Sequence, residues 1–221
     1  MRDSLAGSPQ KRNPAISVIT TQSVVTLAHE LAARDADLAR VVQQFGAPPL
    51  WARQPGFATL VHIILEQQVS LASAKAAFNR LGEAIEITPT AFLTLDDEQL
   101  KTIGFSRQKT RYCRLLAEAV LDGTLDLPRL PKLDDKQVRA ALTSLTGIGD
   151  WTADIYLLMA LRRADIWPKG DLALLVAAQR LKQLPSRPTH EEFLALGESW
   201  RPYRAVAARL LWHYYLSAPR K

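Results

Sequence analysis

The segment from Leu145 to Asp171, LTGIGDWTADIYLLMALRRADIWPKGD, constrains the chain more than any other. Gly147 and Gly149 flank a single apolar residue, so one helix closes there in a tight turn. The backbone can take positive φ, or approach a ligand with no Cβ in the way. A second helix begins at Asp150 or Trp151 and carries Ile155, Leu158 and Leu161 on an apolar side. Pro168 and Gly170 then break the chain and place Asp171 at the start of a further helix. The first amides after the hairpin are unpaired and lie at the positive end of a helix dipole. That arrangement, over Thr146, Gly147, Ile148 and Gly149, binds phosphate. A Gly-x-Gly turn alone is equally a plain helix–helix connection, so the choice rests on the residues around it.

The residues C-terminal to the turn make that choice. The order of hairpin, helix, Gly/Pro loop and aspartate, with Asp171 lying 20 residues after Trp151, resembles the signature of the helix-hairpin-helix DNA glycosylases. HIILEQQVSLASAKAAF (62–78), FSRQKTRYCRLLAEAV (105–120) and WRPYRAVAARLLWHY (200–214) resemble other segments of the same family. The likeness runs from about residue 50 to 216 and is closest to the bacterial 3-methyladenine DNA glycosylase II type. It implies an all-α fold of two helical lobes with a DNA-binding cleft between them. A domain over 21–221 is expected, with its hairpin unit at about 134–163, preceded by a flexible leader over 1–20.

Composition agrees with such a partner. The chain has 221 residues, 48% of them hydrophobic, and a formal net charge of +6. Its size supports one large domain or two small lobes, and its charge suits a polyanion. The single cysteine, Cys113, excludes an internal disulfide and a four-cysteine cluster; it reads as a packing residue. No run reaches the roughly 18 to 20 apolar residues of a membrane span. The start, MRDSLAGSPQKRNP, lacks the apolar core of a secretory signal. A monomer in the cytoplasm, associated with the nucleoid, is the expectation.

Helical spacing recurs throughout. Val24, Leu27, Ala28 and Leu31 predict a helix capped by Ser23, and Leu38, Val41 and Val42 a second over 35–45. Phe57 to Leu81 reads as the longest run, with Gln68 interrupting its apolar stripe. That glutamine fits a satisfied core residue, a break between two helices, or a surface facing a partner. Thr88, Asp96 and Ser106 are read as caps of the next helices, Asp134 or Asp135 as the cap of the first hairpin helix. Asp122 to Leu133 reads as a connector. Helices are expected from Asp171 to about Leu184, over 189–196, and from about Pro202.

A base stacked in a duplex cannot reach a catalytic group, so an enzyme acting on it must extrude it. The resemblance assigns the parts. Gln68 stands where the family inserts a residue into the duplex. The subfamily often has leucine there, and a glutamine could hydrogen-bond the orphaned base. Ser106 and Lys109 fall where the DNA backbone is contacted, although Arg107, Lys109, Arg111 and Arg114 also read as a solvated basic face. A monovalent cation, Na+ or K+, would sit on the carbonyls of Thr143, Leu145 and Ile148; no other cofactor is implied.

Trp151 is the receptor for the extruded base, or else a tryptophan packed between lobes. Ile155 replaces a tyrosine common in the subfamily, and Tyr156, turned by about 100° along a helix, does not stand in for it. Asp171 is the catalytic carboxylate, placed to stabilise the cationic sugar left as the base departs. It could alternatively be no more than a helix cap, with Asp154 and Asp165 as rivals. Bifunctional relatives carry a lysine just after the hairpin for a Schiff base, and Trp151 holds that place here. The expected reaction is hydrolytic release of alkylated purines from double-stranded DNA, with no strand cleavage. The alternatives are a different lesion, deaminated or mismatched, or a DNA-binding module without catalysis.

Overall fold

Side-chain caps set most helix starts. In the computed structural model, which describes residues 17–219, Thr20 caps α1 (Thr21–Arg34) and Asp35 caps α2 (Ala36–Phe45). Helix α3 (Phe57–Glu66) starts after Gly56, and Ser70 caps α4 (Leu71–Ala84). Thr88, Asp96 and Ser106 cap α5 (Pro89–Leu93), α6 (Asp97–Ile103) and α7 (Arg107–Leu121). A 3-10 turn over Leu127–Lys132 leads to Asp134, the cap of α8 (Asp135–Thr143). Helix α9 (Asp150–Ile155) starts after Gly149 and runs into one π-helical turn, Tyr156–Ala160. Asp171 caps α10 (Leu172–Leu181), Thr189 caps α11 (His190–Glu198), and α12 (Arg204–Ser217) closes the fold. Each capping oxygen accepts one of the backbone N–H groups that a helix start leaves without a partner.

The helices form two lobes. Helices α3 to α7 make one, with α4 and α7 against α3 and α5 against α7. The other joins the two ends of the described chain: α1, α2, α10 and α11 all pack on α12. The hairpin pair α8 and α9 lies between, and α9 and its π turn touch α3. Helices α3 and α12 are apolar nearly all round because each is enclosed; Leu60, Val61, Ile63 and Ile64 are buried, as is the run Ala205–Trp212. Arg209, within that run, is satisfied by three carbonyls, those of Leu50, Ala205 and Leu158 at 2.9, 2.9 and 2.7 Å. Burial pushes its guanidinium down to about 9. The π turn, with Leu161 N bonded to Tyr156 O, is where the Leu158 carbonyl meets it.

The all-α expectation holds. Among the described residues the one β pairing is a bridge between Val18 and Arg163, and no helix is long and apolar enough to cross a membrane. Of the leader expected over 1–20, residues 1–16 lie outside the described residues. Several boundaries differ. Ser23 is not the α1 cap but its N3 partner, exchanging hydrogen bonds with Thr20 in a capping box. The run from Phe57 to Leu81 is two helices, broken at Gln67–Ser70, where Gln68 takes a left-handed backbone with φ 56°. Helix α10 stops at Leu181 and α12 starts at Arg204.

Asp35 ties the second lobe together. Its carboxylate accepts from the Asp37 and Leu38 amides, from Lys182 Nζ at 2.8 Å and from Trp200 Nε1 at 2.8 Å. Burial alone would raise its pKa, but the bonds from Lys182, Trp200 and Leu38 outweigh that and hold it below the usual carboxylate value of 3.8. Asp35→Ala is therefore expected to lower the unfolding free energy at pH 7 by about 2–4 kcal/mol in urea denaturation. A carboxyl whose folded pKa is depressed stabilises the fold above its unfolded value, near 3.8, and ceases to as pH falls through the folded one. The gap between wild type and Asp35→Ala should accordingly narrow below about pH 4.

Candidate active site and nucleic-acid interface

Three elements meet at a cleft of about 580 Å³: the α3–α4 loop, the start of α7 and the glycine hairpin. Gln68, Ser106, Lys109, Gly147, Ile148 and Gly149 all line it. Residues up to 81 positions apart in sequence, each expected to touch DNA, thus share one surface. Thr146, at the tip of the turn, is exposed.

The two hairpin glycines do different work. Gly147 has φ 96°, and a Cβ there would lie 2.1 Å from the Tyr112 ring, so α7 packs directly on its backbone. Gly149 has φ −94° and open space where a Cβ would be. Positive φ is therefore needed at 147 only, whereas position 149 leaves the amides at the start of α9 uncovered. Ile148 is 4% exposed and pins the turn to the core. Ser106 accepts the Lys109 amide as the cap of α7. The Lys109 ammonium, expected on the DNA backbone, donates to Leu65 O at 2.6 Å within the protein.

Asp171 and Trp151 do not line that cleft, but they come together beside it, Trp151 lying two residues after Gly149. Trp151 Nε1 donates to Asp171 Oδ2 at 3.0 Å. Asp171 Oδ1 accepts from Leu174 N at 3.0 Å and from Trp212 Nε1 at 3.2 Å. Asp171 is thus both a helix cap and a carboxylate held by two indoles, 8% exposed. Trp151 is half-buried, its indole edge turned to the carboxylate. The loop leading to Asp171 is anchored by Trp167, which stacks on Phe193 at 4.5 Å, packs on Gly197 and donates to Phe193 O. Sequence reasoning missed Trp212. Its signal was there: a tryptophan in an otherwise enclosed helix needs an acceptor for its N–H.

The rival aspartates are engaged with cations. Asp154 is fully buried and paired with Arg139; burial raises its pKa despite that arginine. Asp165 bonds Arg201 and Arg204 at 2.6 and 2.8 Å. Among the described residues no ion pair involves Asp171, whose three bonds come from neutral N–H groups. Ile155, expected beside the base, is 2% exposed and belongs to the core. Tyr156 is fully buried; its hydroxyl accepts the Gly56 amide at 3.1 Å, and burial pushes its pKa up to about 12. Trp51 packs edge-on to His213, and His62 stacks on Phe78. Cys113 is buried.

Around the hairpin, backbone bonds run from Ser144 N to Ala140 O, Leu145 N to Leu142 O and Ile148 N to Leu145 O. The Thr143 and Ile148 carbonyls take part in none of these. Among the described residues no cluster of His, Cys, Asp or Glu has the makings of a metal site.

Comparison with known proteins gives a consistent picture. Residues 61–202 match the model of the HhH-GPD superfamily base excision DNA repair proteins. DNA-3-methyladenine glycosylase 1 of Schizosaccharomyces pombe is 30% identical over 69% of this chain and 69% of its own length. DNA-3-methyladenine glycosylase 2 of Escherichia coli is 28% identical over 77% of this chain and 63% of its own. The chain spans 64% of the length of a further relative from Bacillus subtilis. Among solved structures, the S. pombe 3-methyladenine DNA glycosylase in complex with abasic DNA superposes with a TM-score of 0.82. It is 26% identical, covering 89% of this chain and 99% of that one.

The glycines supply a paired test. Gly147→Ala must strain φ and displace Tyr112, and should cost about 2–4 kcal/mol of stability in urea denaturation. Gly149→Ala meets nothing and should change stability by less than about 1 kcal/mol. Gly149 lines the cleft, so its added methyl group narrows the proposed phosphate seat, and fluorescence anisotropy with a DNA duplex should show binding weakened several-fold.

Proposed function

Because the chain belongs to the HhH-GPD superfamily of base excision DNA repair proteins, we propose that it is a monofunctional DNA glycosylase. Its substrates are alkylated purines of the 3-methyladenine and 7-methylguanine type, extruded from duplex DNA. It acts as a monomer at the chromosome. The observation that carries this reading is the pairing of Asp171 with the indole edge of Trp151 at 3.0 Å. The hairpin amides grip a backbone phosphate without reading sequence, and Gln68, across the cleft, enters the duplex. The extruded base stacks on the exposed part of Trp151. An alkylated purine is positively charged, so this stacking gains a cation–π contribution of about 0.5–2 kcal/mol over a neutral base.

As the glycosidic bond breaks, positive charge develops on the sugar. Asp171 stabilises it electrostatically and orients the water that attacks the anomeric carbon. Fixed by three donors, the carboxylate needs no rearrangement as that charge appears. Trp151 occupies the place of a Schiff-base lysine, so the reaction ends at an abasic site with the strand intact. The Thr143, Leu145 and Ile148 carbonyls would hold a monovalent cation: three neutral oxygens suit Na+ or K+ and would add positive charge beneath the bound phosphate.

Methylated duplex DNA tests the reading. Wild type should release 3-methyladenine or 7-methylguanine, quantified chromatographically, with strands left uncut and no protein–DNA adduct trapped by borohydride. Asp171→Asn keeps the shape and removes the charge, and should lower the single-turnover rate by about 10²- to 10³-fold with duplex binding retained. Wild-type protein that binds DNA with strong salt dependence yet releases nothing would leave only the binding-module reading.

A further inference from the structure

The loop that carries Gln68 is held from two sides. Gln67, at the C-terminal end of α3, donates its Nε2 hydrogens to Gly147 O at 2.9 Å and Thr152 Oγ1 at 3.0 Å. One side chain therefore bonds both the hairpin turn and the helix that carries Trp151. From α7, Lys109 Nζ donates to Leu65 O at 2.6 Å, at an end of α3 where carbonyls lack helical partners. Burial lowers the Lys109 pKa. The next residue in the chain after Gln67, Gln68, is exposed, as are Val69 and Ser70, and it sits at φ 56°, a conformation uncommon for a non-glycine residue. Gly147, one of the acceptors, is itself pressed against Tyr112 of α7, so hairpin, α7 and loop brace one another.

We propose that Gln67 and Lys109 are positioning residues that clamp the α3–α4 loop, so that Gln68 is presented to the duplex at a set distance from the phosphate-gripping hairpin. The clamp rests on the reading of Gln68 as the residue that enters the helix. It acts on the opening of the base stack, not on the breaking of the glycosidic bond. With the clamp intact, a phosphate seated on the hairpin fixes where Gln68 meets the stack, and the left-handed backbone costs nothing further on binding. Without it, the hairpin still binds phosphate while Gln68 samples other positions.

The test uses a duplex with a tetrahydrofuran abasic analogue opposite 2-aminopurine, whose fluorescence reports a side chain entering the gap. Gln67→Met and Lys109→Met keep side-chain length and remove the donors; Lys109→Arg restores one. At saturating protein, the two methionine variants should show less than half of the wild-type fluorescence change, and Lys109→Arg should recover it. Melting temperatures should stay close to wild type, as should the anisotropy-determined affinity of Gln67→Met, and for the Lys109 variants the fluorescence change is compared at equal bound fraction. An unchanged fluorescence response in both methionine variants overturns the clamp. So does a loss that merely tracks lowered melting temperature or bound fraction, which marks a structural role, and so does wild-type binding with no fluorescence change. Because none of these readouts needs catalysis, failure of base release would sink the glycosylase reading while leaving the clamp decided by fluorescence.

Discussion

A buried carboxylate without a cation is the constraint on which the site depends. Removing a carboxylate from water is costly unless its lone pairs are met, and the three described partners of Asp171 are neutral N–H groups. One comes from its own helix, one from α9 and one from α12. The carboxylate is thus a junction of the hairpin unit with the second lobe, and its position cannot shift without breaking bonds to two of them. A lysine or arginine in the same place would satisfy the charge more strongly but would neutralise it. The tryptophans hold the group without neutralising it, which is what the proposed cleavage of a glycosidic bond would require.

The same chemistry separates three aspartates that the sequence ranked only through the resemblance. Asp154, Asp165 and Asp171 lie within 18 positions of one another around the hairpin and its neighbouring loop. Asp154 and Asp165 serve as anchors, one for Arg139 and the other for Arg201 and Arg204. Only the long-range partners separate them from Asp171, and those partners come from α8, from α12 and from the turn before it. Local sequence holds no trace of such pairings.

Short-range chemistry, by contrast, is legible. Thr88, Asp96, Ser106 and Asp134 cap the helices their positions imply, because a cap is decided within three residues. The hairpin is legible for the same reason. The break at Gln67–Ser70 is legible only as one of three readings of Gln68: apolar spacing continues across it from Phe57 to Leu71, and neither glycine nor proline marks it. The bonds that hold the chain open there are tertiary, those of Gln67 to the hairpin and of Lys109 to Leu65 O. Ser23 reads as a cap in sequence because a capping box places a hydroxyl at both of its ends. Ile155 marks the opposite limit, a resemblance that supplies a position in a pocket but not the direction in which a different side chain points.

Trp151 shows how closely position and recognition are joined. Its ring edge is bonded to Asp171 while the rest of the indole remains half-buried at the start of α9. One bond therefore does two things: it fixes the plane of the indole, on which the proposed reading stacks the base, and it holds one carboxylate oxygen. Truncation of Trp151 removes both together, whereas phenylalanine would keep an aromatic face and lose only the N–H. Trp212 carries the complementary half of the arrangement, an N–H to the other oxygen from a ring that is 8% exposed. With both carboxylate oxygens already bonded, the position of the Asp171 carboxylate is set by the fold itself, and in the proposed reaction selection among bases would fall to the stacking face.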